Sequence, residues 1–142
     1  MRRRILTAAS LALALTALSS ASGLAAEPAK PDLDQSVNIS PVALPIVVDG
    51  HLANYVFVTV KILLTPSADA MALRDKEPYF RDALVRAGHR TPFVLATDYN
   101  HLDEARLKAA MFREAVGIAG PRAILGVRVM EQTPQHHLLS PH

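Results

Sequence analysis

Histidines are the residues of this sequence best suited to bind a metal or to exchange a proton. There are six among its 142 residues, and three of them lie close to the C-terminus, namely His136, His137 and His142. Further potential ligands of the types that zinc and copper accept lie together in the sequence, at Asp98, His101 and Asp103. Structural metal sites need ligands on rigid elements, whereas the last ten residues are predicted to be frayed. We therefore predict no metal and no cofactor, and keep a soluble periplasmic protein that binds a metal or small ligand as the alternative function.

Hydrolytic chemistry has little support in this sequence. The four serines beyond the predicted leader lie in predicted linker, cap or tail segments and outside any Gly-x-Ser-x-Gly motif: Ser36, Ser40, Ser67 and Ser140. Asp98, Asp103 and Glu104 could act as paired carboxylates, but acidic residues near a helix N-terminus are favoured by the helix dipole alone. All six glycines are isolated, so no phosphate-binding loop is present. We predict that the protein is not an enzyme.

Cysteine is absent, which excludes disulfides, thiolate metal sites, a cysteine nucleophile and a lipid anchor through cysteine. The formal net charge of +2 depends on three arginines in the first four residues. Without these three, 12 basic residues face 13 acidic ones, a net charge of −1. With no basic patch and only 5% aromatic residues, we predict no binding to nucleic acid.

The first 26 residues have the three-part layout of a cleavable signal peptide. The arginines precede an apolar run from Ile5 to Leu18, and small residues follow, with cleavage expected after Ala25 or Ala26. The run is shorter than the ~20 residues that a membrane-spanning helix needs. The opening also resembles a degenerate twin-arginine export signal. We expect a periplasmic protein that meets the membrane only during export.

Residues 27–41 contain three prolines and no apolar periodicity, which predicts a flexible linker. Val42 to Val48 is β-prone but contains Pro45, which indicates an edge strand or the start of a strand. Asp49-Gly50 predicts a two-residue hairpin turn into a long strand from Asn54 to Thr65. In that strand alternate residues are all apolar: Val56, Val58, Val60, Ile62 and Leu64. Direct pairing would place Leu44 opposite Tyr55.

A first helix is predicted to begin after Thr65 or Ser67 as its N-cap and to end at Gly88. Its core stripe is Leu73, Phe80, Leu84 and Ala87. Pro78 lacks an amide donor and clashes with the preceding turn. We therefore expect a kink or a restart of the helix at Glu77-Pro78.

A second helix is predicted from about Leu102 to Ala119, capped by Asp98 or Asn100 and ended by Gly120-Pro121. Its core stripe is Leu102, Ala105, Ala109, Phe112 and Val116. Nearly opposite lie Leu107, Met111 and Ile118. Two interpretations remain open for these three: packing of the helix between the sheet and its neighbour, or contact with another subunit. They are the candidate interface residues.

A closing strand is predicted from Ala123 to Gln132, with Leu125, Val127 and Val129 on one side, followed by a disordered tail over 133–142. The predicted fold is a single α+β domain over 42–132. It has a small antiparallel sheet, made of the hairpin plus the C-terminal strand, covered on one face by two helices, the first kinked at Pro78.

Four segments in this order resemble the periplasmic domain of the FliL family, the flagellar basal-body-associated proteins. They are the strand from Tyr55 to Leu64, the run from Lys76 to Leu84, the helix start from Leu102 to Lys108, and Gly120-Pro121 before the strand from Val127 to Gln132. The resemblance implies a non-catalytic domain similar in fold to stomatin and prohibitin domains, which self-associates and contacts motor stator components. Members of that family have a true transmembrane helix, whereas this chain has a leader of cleavable type. The expected function is therefore that of an exported interaction and assembly module, associated with a flagellum.

Overall fold

The structure is a computed structural model that describes residues 35–139. The predicted signal peptide, residues 27–34 of the predicted linker, and Ser140 to His142 lie outside the described residues. The elements in chain order are β1 (Ser36–Val48), β2 (His51–Leu64), α1 (Ala70–Asp75), α2 (Glu77–Arg90), α3 (Glu104–Ala119) and β3 (Ile124–Pro134).

The predicted α+β class is confirmed. The three strands form one antiparallel sheet in the order β1-β2-β3, so that β2 is central. The alternate apolar residues of β2, from Val56 to Leu64, are at most 1% exposed and form the centre of the core. The helices supply the other half of that core through residues such as Phe80, Leu84 and Leu107, so they lie on one face of the sheet.

The prediction of a linker up to residue 41 is wrong for its last six residues. β1 begins at Ser36, which pairs with Leu63, and Val37 and Ile39 are buried. The register then shifts between Ile39 and Val42, where β1 has one more residue than β2. This bulge moves the buried positions from odd to even numbers, so the alternation that identifies a strand is interrupted in the sequence. β1 is an edge strand, as Pro45 predicts.

The predicted hairpin is confirmed, and its register differs from the prediction. Asp49 and Gly50 both have positive φ, 50° and 77°, as a type I′ turn requires. Leu44 pairs with Val56 instead of Tyr55, because a second irregularity follows Ile46. That irregularity adds one residue to β2, between the partners of Ile46 and Val47.

The predicted restart at Pro78 is confirmed. The helical segment divides at Lys76, and Pro78 occupies the first turn of α2. An amide hydrogen in the first turn has no acceptor within the helix, so proline loses no hydrogen bond there. The N-cap of α1 is Asp69, whose carboxylate accepts from the Ala72 amide at 3.0 Å, instead of Thr65 or Ser67. The Thr65 hydroxyl instead donates to the carbonyl of Arg122 at 2.6 Å, across 57 residues of chain.

Gly88 does not end α2, which continues to Arg90. A Cβ at position 88 would lie 2.8 Å from Cδ2 of Leu44, a buried side chain of β1. The glycine therefore permits close approach of α2 to β1, and its role is packing instead of termination.

The predicted start of α3 is also wrong by two residues. Asp103 is the N-cap, accepting from the Arg106 amide at 3.1 Å, in place of Asp98 or Asn100. Leu102 pairs with Val94 in an isolated bridge, and its amide donates to Oε1 of Gln132 at 2.8 Å. The helix ends at Gly120, with φ of 89°, as predicted.

β3 pairs with β2 as expected, but Leu125 is exposed because the register shifts beside it, between Leu63 and Leu64. Ile124 is buried there, while Val127 and Val129 are half-buried against the core.

The prediction of a disordered tail from residue 133 is wrong for the described residues up to 139. Asn54, 3% exposed, donates from Nδ2 to the carbonyls of Tyr99 (3.0 Å) and His136 (2.7 Å). Its Oδ1 accepts from the amides of Tyr55 (2.9 Å) and His136 (3.2 Å). Asn100 holds both backbone groups of Leu138, at 2.7 and 2.8 Å. Two side chains thus bind the C-terminal segment to the domain.

Replacing Gly88 and Gly117 by alanine should have opposite effects on the free energy of unfolding. Gly117→Ala adds a methyl group with no atom within 4 Å and should stabilise by about 0.5–1 kcal/mol. Gly88→Ala must displace Leu44, and the packing cost should outweigh the helix propensity, giving a net loss of about 1 kcal/mol. Urea unfolding measures both; equal stabilisation by the two variants would contradict the close approach of α2 to β1.

Asn54→Ala should lower the free energy of unfolding by about 3 kcal/mol, because it leaves buried backbone groups without partners. Hydrogen exchange of the His136 amide, which donates to Oδ1 of Asn54, should accelerate as well. Asn100→Ala is the control: it releases the Leu138 amide of the same segment but removes no fully buried group, so its effect on global stability should be smaller. Unchanged exchange in Asn54→Ala would show that the C-terminal segment is held by other contacts.

Candidate functional site

Two of the three candidate interface residues on α3 are not surface residues. Leu107 and Met111 are completely buried in the core between the helices and the sheet, and Ile118 is half-buried against that core. The exposed side of α3 instead contains Phe112, 39% exposed, with Ala105 and Ala109. Most of the stripe predicted to be core is therefore exposed, and most of the opposite stripe is buried. A charged side chain at Met111 would be buried without a partner and would disrupt folding.

Side-chain size is the sequence signal that indicates which of the two stripes of α3 is buried. The stripe predicted as core contains two alanines, which bury little apolar area, whereas Leu107 and Met111 are both large. Periodicity alone gives both stripes the same helical spacing.

The largest apolar side chains left in contact with solvent include those on the face of the sheet away from the helices. Phe57, at the middle of β2, is 45% exposed and lies between Ala43 of β1 and Thr133 of β3. Tyr55 and Leu63 lie on the same face and are half-buried. No helix within residues 35–139 packs on this face, which we call the open sheet face.

A groove of about 410 Å³ separates the C-terminal half of α2 from α3. Its apolar lining is made of small or buried side chains, namely Ala87, Ala109, Ala110 and Phe93. Its polar lining consists of Arg90, Thr91, Arg106, Arg113 and Glu114, and Arg86 lines the adjoining depression beside Arg90 and Glu114. We call this feature the arginine groove.

Positive charge predominates in the arginine groove. Nη2 of Arg90 lies 3.4 Å from Oε1 of Glu114. The Arg90 side chain is 67% exposed, so water weakens the attraction between the two charges. Arg86 pairs with Asp82 at 3.2 Å. The guanidinium groups of Arg106 and Arg113 have no carboxylate oxygen within 4 Å among residues 35–139. The groove therefore presents guanidinium groups to solvent.

The candidate ligands Asp98 and His101 form a pair, with Oδ2 to Nδ1 at 2.6 Å. The backbone amide of Asn100 donates to the same carboxylate and, with smaller help from His101, holds the pKa of Asp98 below its ordinary value of 3.8 against the opposing effect of burial. Asp103 does not join this pair: it caps α3, and Glu104 lies in the first turn of that helix.

The structure does not gather the histidines into a metal site within the described chain. His136 is held through its backbone, His137 is exposed, and His142 lies outside residues 35–139. Among those residues no three His, Asp or Glu side chains form a group that could hold a metal ion.

The serines are likewise dispersed. Ser36 and Ser40 lie in β1, and Ser67 lies beside the Thr65 hydroxyl at 3.3 Å. Within residues 35–139 no serine hydroxyl is hydrogen-bonded to a histidine ring.

Comparison with known proteins gives no family. No protein-family model matches the chain, and no curated protein matches it significantly. The FliL resemblance therefore stays a prediction from the sequence. Among residues 35–139, none of the helices combines the length and the apolar character that crossing a bilayer requires.

Proposed function

We propose that this chain is an exported, periplasmic, non-catalytic interaction and assembly module of the kind that the FliL resemblance implies. It associates with a second copy of itself through the open sheet face. The observation that supports this proposal is the half-exposed Phe57 at the centre of that face.

The uncovered face of an antiparallel sheet is normally polar, because it is in contact with water. Here an aromatic ring stands on the central strand between the small side chains of Ala43 and Thr133, which leave it raised above its neighbours. Large aromatic side chains near the centre of a surface are the usual anchors of protein interfaces. Tyr55 and Leu63 extend the apolar area along the same strand.

The charges on the open sheet face complement a second copy of the same face. Glu131 lies opposite Thr59, and Arg128 lies opposite Lys61, one row further along β2. A two-fold axis running across the strands between these rows would place Glu131 of each copy over Arg128 of the other. The same axis would place Phe57 over Leu63, so polar and apolar groups match in one arrangement.

Reversing one of these charges should weaken the dimer, and reversing both should restore it. Glu131→Arg places two arginines against each other and should raise the dissociation constant roughly tenfold or more. The double variant Glu131→Arg/Arg128→Glu exchanges the partners and should return most of the affinity. Sedimentation equilibrium over a range of concentrations measures the constant for each protein.

Asp75→Arg, at the end of α1 and outside the sheet, changes the net charge by the same amount as Glu131→Arg and is the control. It should leave the dissociation constant unchanged. A wild-type protein that stays monomeric at the highest soluble concentration would contradict self-association, and a double variant no better than the single one would contradict this arrangement.

A flagellum is the setting that the FliL resemblance implies, with motor components as partners. Deletion of the gene should then reduce swimming through soft agar without changing growth in liquid culture, and the intact gene supplied in trans should restore swimming. Normal swimming after deletion would contradict the flagellar setting. It would not bear on the proposed dimer, which sedimentation tests separately.

A further inference from the structure

We propose that the arginine groove binds an acidic peptide segment of a partner protein. The groove lies in the helical layer, on the opposite side of the domain from the open sheet face. A ligand can therefore occupy the groove whether or not the proposed dimer forms. Such a ligand would be a second kind of partner, different from another copy of this chain.

The shape of the groove admits a peptide. Alanines at positions 87, 109 and 110 line it where α2 and α3 pass each other, so the space between the helices is not filled by side chains. The resulting volume of about 410 Å³ is within the range of sites that accommodate small ligands or several peptide side chains. The buried ring of Phe93 closes part of the wall.

The charge of the groove selects an anion. Four arginines border the groove and its adjoining depression, against one carboxylate, that of Glu114. The planar guanidinium group donates two parallel hydrogen bonds to a carboxylate, which makes arginine the preferred partner for carboxylate groups. Because the guanidinium groups of Arg106 and Arg113 have no carboxylate oxygen within 4 Å in residues 35–139, a ligand would not have to displace an existing ion pair from them.

The spacing of the arginines favours an extended ligand over a single small anion. Arg106 and Arg113 are seven residues apart on α3, which corresponds to about 10 Å along the helix axis. Arg86 and Arg90 are one turn apart on α2, about 6 Å along its axis. A lone phosphate or acetate cannot contact both ends of such a row. Carboxylates on alternate residues of an extended peptide are spaced by about 7 Å, so one peptide can contact both ends of the row.

Binding of a fluorescein-labelled hexaglutamate peptide, followed by fluorescence anisotropy at low salt, tests the proposal with the purified protein. Arg106→Gln/Arg113→Gln should weaken binding by about tenfold. Arg81→Gln/Arg122→Gln removes the same charge from exposed positions that do not line the groove and should change binding by less than about twofold, because distant exposed charges are screened. Arg106→Lys/Arg113→Lys keeps the charge but loses the planar fork, so its affinity should fall between those of the wild type and the glutamine variant.

Four outcomes would overturn the proposal. The first is absence of hexaglutamate binding, and the second is equal weakening by the groove variant and its control, which would indicate diffuse attraction. The third is complete displacement of hexaglutamate by equimolar inorganic phosphate, which would indicate a single-anion site. The fourth is tighter, groove-dependent binding to phosphatidylglycerol vesicles, which would assign the groove to a membrane surface. Because Glu131 and Arg128 are unchanged in all these variants, their sedimentation should remain that of the wild type, which separates a failure of the groove from a failure of the dimer.

Discussion

The rest of the structure depends on the burial of one face of β2. Its five alternate aliphatic side chains, from Val56 to Leu64, are withdrawn from water, and each contributes about 1.5–3 kcal/mol relative to an exposed position. β2 is also hydrogen-bonded along both of its edges, to β1 and to β3. The strand therefore places the two other strands beside it and the helices over one face. Every other position in the fold is set relative to this strand.

The same strand begins with a buried polar residue that joins distant parts of the chain. Asn54 continues the core-facing series of β2, yet its amide bonds to the backbone of Tyr99 and of His136. A buried amide of this kind is favourable only when its donors and acceptors are all satisfied, so the loop before α3 and the segment after β3 must both be in place. The position of the segment just after β3 thus depends on a residue near the start of β2.

Within residues 35–139 the helices cover one face of the sheet, which leaves two different surfaces. On one side the open sheet face exposes an aromatic ring that water solvates poorly. On the other side, two helices that meet through alanines leave a groove bordered by arginines. An apolar surface favours contact with another apolar surface, and a charged groove favours a ligand of opposite sign. The two sit on opposite layers of the domain, so one surface can be occupied without blocking the other.

Features that depend on neighbouring residues could be predicted from the amino-acid sequence: the alternation in β2, the turn at Asp49-Gly50, the helix restart at Pro78 and the helix end at Gly120. Each follows from backbone preferences or from the period of one element. Tertiary contacts set the remaining features: where the bulges fall, which side of α3 is buried, why residue 88 is glycine and how the segment after β3 is held. These depend on contacts between residues far apart in the chain, such as Asn54 with His136, 82 positions away. The candidate interface on α3 was misassigned for this reason, since a helix with two apolar stripes does not specify in its own sequence which stripe will meet the sheet.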